Sequence, residues 1–241
     1  MDGELIVCIP GPWKDRADFL TLLNNHEPKG RYLGVIGMLV DAKERDHVVM
    51  DFRPYDGNLA HAFYVAGQGK LNNALVEELN THKNCVYLHF SCDVQTQRMQ
   101  LIKFTSLIRD LGGYAIKVEP AGPVNEWGPW LSGLPAQNVV FLCNLVVMLS
   151  RDTDYYFSCG MRYFGLPDVE IPVEIAPADV MELLGQFNSW QIDSRPHLED
   201  GLTYGVTPES QFYYIEAHSD HRYGDQADFA NPCGIWRMVK H

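Results

Sequence analysis

Hydrophobic and polar positions follow two periods along this chain, and each change of period predicts an element. Leu5-Ile6-Val7-Cys8-Ile9 is a continuous apolar run closed by Gly11-Pro12, which predicts a buried strand. Over 15–25 the apolar residues Ala17, Phe19, Leu20, Leu22 and Leu23 recur at helical spacing and stop at Asn24-Asn25. Two β-rich runs, 32–40 and 47–52, flank the charged stretch 41–46 and predict a hairpin with a solvated tip. Helices are expected over 71–79 and 96–111, the second stopped by Gly112-Gly113, and strands over 85–90 and 114–118. Such an order is neither strictly alternating nor all-β. It predicts an α+β fold of mixed or antiparallel sheets packed with helices, in two sandwich halves of similar make.

The segment 120–138, rich in Gly, Pro and Trp, is expected to be a loop connecting an N-terminal half, 1–119, to a C-terminal half, 139–241. Residues 139–149 are almost wholly apolar. Their length suits strand or helix, and Val139, Val140, Phe141, Val146 and Val147 lean towards strand. A partner strand is expected at 155–163. A helix is expected over 177–190, with Pro177 near its start and Asp179 and Glu182 favourable to its dipole. A hairpin of 202–206 with 211–218 then leads to a last strand at 235–239.

Charge narrows the classes of function. The formal net charge is -12, from 19 Lys and Arg against 31 Asp and Glu, a field that repels nucleic-acid backbones. No apolar run approaches the ~20 residues that span a bilayer, so no membrane partner is expected. Asp2 and Glu4 stand where a secretory signal would carry bases, and the six cysteines are scattered, which points to a reduced, cytoplasmic setting. Residues 151–241 hold 15 acids and 6 bases, so most of the net charge lies there. That acidic third suits a solvated surface or a face that meets a basic partner.

Catalytic and cofactor signatures are absent. Gly67-Gln68-Gly69-Lys70 lacks the spacer and hydroxyl of a phosphate-binding loop, and Ser158 has Gly160 after it but Tyr156 where a nucleophile elbow carries its first glycine. Cys8, Cys85, Cys143 and Cys159 lie in apolar runs, Cys92 sits beside Asp93, and Cys233 in a turn is the thiol expected to be exposed. The histidine–carboxylate cluster His218, Asp220, His221 and Asp225 could hold a divalent ion for metal-assisted hydrolysis. On a strand, however, His218 and Asp220 share a face while His221 points away. In Asn125-Glu126-Trp127-Gly128-Pro129-Trp130, the two tryptophans either fold back over the sheet or serve as interface anchors.

One further stretch is distinctive: Gly160-Met161-Arg162-Tyr163-Phe164-Gly165-Leu166-Pro167-Asp168-Val169-Glu170, followed by the turn Asp200-Gly201-Leu202-Thr203-Tyr204-Gly205. Across roughly residues 139–218 the chain resembles a bacterial family known as domain of unknown function 4261. The resemblance implies an α+β domain of bacterial origin and brings no catalytic residues. By its residues alone, 168–174 reads as an edge strand, with Asp168, Glu170 and Glu174 outward and Pro167 and Pro172 tolerated at an edge. The function expected is a non-enzymatic cytoplasmic binding protein without cofactors, an immunity or adaptor protein docking on a basic protein partner. Its contacts would be Asp168, Glu170, Glu174, Asp220, Asp225 and Asp228, with Trp127 and Trp130 as anchors. The metal-assisted hydrolase is the alternative. A third reading makes 139–149 a subunit interface.

Overall fold

A computed structural model describes residues 4–120, 122–136, 138–222 and 230–240. They fall into two compact units, 4–119 with 123–135, and 120 and 122 with the residues from 136 onward.

The first unit runs β1 (Glu4–Gly11), α1 (Arg16–Asn25), β2 (Tyr32–Val35), β3 (Met38–Asp41), β4 (Asp46–Pro54), α2 (Leu59–Ala66), α3 (Asn73–Thr81), β5 (Asn84–Ser91), α4 (Val94–Asp110), β6 (Ile116–Glu119), β7 (Val124–Asn125) and α5 (Trp127–Gly133). Its sheet has the order β2-β3-β4-β5-β1-β6-β7, and every neighbouring pair is antiparallel. The apolar run of β1 lies inside this sheet with Leu5, Val7, Cys8 and Ile9 wholly buried. The expected hairpin is a three-strand meander instead. Gly37, at φ +72°, takes the left-handed turn that divides 32–41 into β2 and β3. The helix expected from 96 begins at Val94, because the Asp93 side chain accepts the N–H groups of Gln95 and Thr96.

Segment 123–135 is not a connecting loop. It forms β7, paired with β6, and α5, whose Trp130 is fully buried and donates its indole N–H to Thr105 Oγ1 at 2.9 Å.

The second unit runs α6 (Val139–Val146), β8 (Met148–Arg151), β9 (Tyr155–Cys159), a 3-10 turn (Met161–Phe164), β10 (Asp168–Pro172), α7 (Val180–Ser194), β11 (Thr203–Tyr204), β12 (Tyr213–His218) and β13 (Ile235–Lys240). Its sheet has the order β11-β12-β13-β10-β9-β8, antiparallel except where β10 runs parallel to β13. The fold is α+β, as the pattern of periods predicts. α7 covers one face of the sheet, burying Leu183, Leu184 and Phe187 against Val169, Ile171, Tyr213, Ile215 and Met238.

Two expectations fail here for physical reasons. The apolar stretch 139–149 is mostly helix, because Asn138 caps it by accepting the N–H groups of Val140 and Phe141. Residues 168–172 are not an edge strand. β10 lies between β13 and β9, and Pro167 and Pro172 stand just before it and at its last position, where a missing N–H breaks little of the ladder.

Candidate functional site

The stretch Gly160–Glu170 builds a polar knot beside the sheet of the second unit. Gly160 has φ +125°, and a Cβ there would lie 2.4 Å from the Val146 carbonyl oxygen, so only glycine fits. The 3-10 turn follows, and Gly165 ends it in the left-handed region. Asp168, 1% exposed, then gathers donors. Ser158 Oγ donates to it at 3.2 Å, the Met161 N–H at 3.1 Å and Asn231 Nδ2 at 2.8 Å, with Arg222 Nη2 at 3.9 Å. Burial pushes this carboxyl up to about 6, against the pull of Arg222 and the three donors. Burial also pushes the Cys143 thiol up to about 12, with the Asp168 charge adding to it, and raises Cys233 for the same two reasons. Neither thiol is poised as a nucleophile.

Two ion pairs stand next to the knot. Arg222 holds the Asp220 carboxylate through Nε at 3.2 Å and donates to the Ser158 carbonyl through Nη1 at 3.2 Å. Burial would raise the Asp220 carboxyl, yet Arg222 and the Asn231 N–H hold it below the usual carboxylate range. Arg237 places both Nε and Nη2 at 2.7 Å from Glu170 Oε1. Each guanidinium lies over a ring, Arg222 over Phe157 at 4.7 Å and Arg237 over Tyr155 at 4.8 Å. An open pocket of about 410 Å³ lies over this layer, walled by Arg222, Arg237, His218 and His221.

This geometry corrects part of the expected docking surface. The side chains of Asp168 and Glu170 are 2% exposed and that of Asp220 is 1% exposed, and each has a cation beside it. They cannot act as free surface charges. Trp130 is locked in the first unit, and Trp127 is half-buried, with its indole N–H on the Gly113 carbonyl at 2.8 Å. Glu174 is exposed. Asp225 and Asp228 lie outside the described residues. His218 is half-buried against Glu216, His221 is exposed, and among the described residues no three metal-ligating side chains come together.

A site that sequence reading did not single out lies at the start of α7. Asp179, Glu182, Leu183, Gln186, Val206 and Tyr213 line a groove of about 240 Å³. Leu183 and Tyr213 are buried floor, while Asp179 and Glu182 are exposed at its rim. Gln186 donates to Glu182 at 2.9 Å, and the Asp179 charge, after burial itself, raises the Tyr213 hydroxyl. Among the described residues neither rim carboxylate is ion-paired. Asp179 and Glu182 are readable in the sequence only as helix-start residues; their joining with 206–213 is tertiary.

The second unit is thus an α+β domain with one long helix on one face of a mixed six-stranded sheet and an ionic layer on the other. Residues 157–238, from β9 into β13, match the family described as Domain of unknown function (DUF4261). No curated protein and no solved structure matches the chain. Among the described residues no helix is long and apolar enough to cross a membrane.

Proposed function

We propose that the chain is a non-enzymatic binding protein, an adaptor or immunity protein of the cytoplasm, that docks on a basic protein partner through the groove at the start of α7. One observation carries this reading. In a unit whose interior acids are neutralised by its own arginines, Asp179 and Glu182 keep exposed, unpaired carboxylates over an apolar floor. That combination suits a lysine or arginine side chain. Its methylene stem would lie on Leu183 and Tyr213, and its charged head would meet the rim. The exposed Glu174, with Asp225 and Asp228, would add to the long-range attraction, which acts on association rate more than on final affinity.

Fluorescence anisotropy with a short labelled peptide alternating lysine and leucine tests the reading, with a glutamate–leucine peptide as control. The lysine peptide should bind and weaken with added salt. Equal binding of the two peptides, or none, contradicts it.

A further inference from the structure

We propose that the pocket walled by Arg222, Arg237, His218 and His221 is a binding site for a small organic oxyanion, a molecule carrying a carboxylate or phosphate group. The inference is separate from the docking groove, which is lined by other residues of the same unit.

Charge placement is the first support. Residues 151–241 carry 15 acids and only 6 bases, yet two of those bases and two histidines wall one pocket. The layering is the second. The counterions Glu170 and Asp220 are shielded from solvent, with side chains 2% and 1% exposed, while the Arg237 side chain beside Glu170 is 29% exposed. A ligand entering from solvent therefore meets the Arg237 guanidinium before it meets Glu170 or Asp220, while the partly exposed Glu216 stands to one side, 3.4 Å from His218. Preorganisation is the third. Arg237 is fixed by two bonds to one Glu170 oxygen and by stacking on Tyr155, which commits Nε and Nη2. Its Nη1 has no protein partner among the described residues. The guanidinium plane is thus fixed before any ligand arrives, with Nη1 left to donate, which lowers the ordering cost of binding.

Nearby groups add to the same chemistry. Ser219 contributes a hydroxyl at the pocket wall, and the His221 ring is exposed there. The lining is rich in donors, and its one carboxylate is already held by Arg237, which favours an acceptor-bearing anion over a cation. A volume of about 410 Å³ falls in the range of small-molecule sites, and Ile235 and Ala217 offer apolar contact to the body of such a ligand.

Isothermal titration of the full chain at low ionic strength, with phenyl phosphate, benzoate and neutral benzamide as probes, tests the site. At least one anion should bind saturably at one site while benzamide does not, and the preferred anion identifies the group. Binding should weaken about tenfold in His221→Ala, whose side chain is exposed, so folding is not at stake. It should weaken at least as much in Glu170→Gln/Arg237→Gln, which removes a cation together with its buried counterion. No binding of either anion at millimolar concentration, equal binding of benzamide, or unchanged affinity in both variants overturns the proposal.

Discussion

The Asn231 side-chain amide donates to the buried Asp168 carboxylate at 2.8 Å, joining the loop before β13 to the first residue of β10. These two strands are the parallel pair of the sheet, far apart in sequence, and the bond fixes where they meet.

Asp168 gives stability a specific pH dependence. Its carboxyl is raised by burial to about 6 in the folded chain, from an ordinary value of 3.8. The folded state therefore takes up this proton before the unfolded state does. The charged, buried form costs stability in full above about pH 6, and that cost is relieved as pH falls towards 4. Relative to Asp168→Asn, the wild type should gain of order 3 kcal/mol between about pH 7 and about pH 4. Urea unfolding of both proteins across that range checks this, and a pH-independent difference contradicts it. Asp220, whose carboxyl is lowered, loses its contribution below that window.

Gly160 should tolerate no side chain. Alanine there would need φ +125° and would bring Cβ within 2.4 Å of the Val146 carbonyl oxygen. Gly160→Ala should cost about 3 kcal/mol or more, read as a lowered urea midpoint at unchanged slope. Gly128→Ala, where a Cβ meets nothing within 4 Å, is the control and should change little.

The two tryptophans of α5 should separate. Trp130 is fully buried and bonded to Thr105, so Trp130→Ala should destabilise the first unit by about 3–5 kcal/mol. Trp127 is half-buried with one backbone partner, and Trp127→Ala should cost clearly less. Thermal unfolding of the two variants compares them directly.

Much of the fold was legible because its signals are local. The apolar run of β1, the helical stripe of α4 with Gly112-Gly113 beyond it, and the turn-bounded strands of the second unit all follow from short-range pattern. Long-range placement was not. The alternation of Asp168 and Glu170 with Val169 and Ile171 reads as a half-solvated strand, yet Arg222 and Arg237 arrive from 54 and 67 residues downstream and help to bury both carboxylates. Residues 139–146 likewise follow the Asn138 cap over β-branched preference. α2 escaped notice because Leu59–Ala66 is apolar almost throughout and shows no polar face. The pocket was half legible: His218 and His221 stood out in the sequence, but as metal ligands, since neither arginine was placed beside them.

Docking, as proposed, depends on Asp179 and Glu182 capturing a basic partner. Stopped-flow association of the lysine–leucine peptide with the full chain, at several salt concentrations, tests it most directly against Asp179→Asn/Glu182→Gln. Association should be slower in the double variant, about tenfold at low salt, with a flatter salt dependence. An association rate and salt slope identical to the wild type would contradict it.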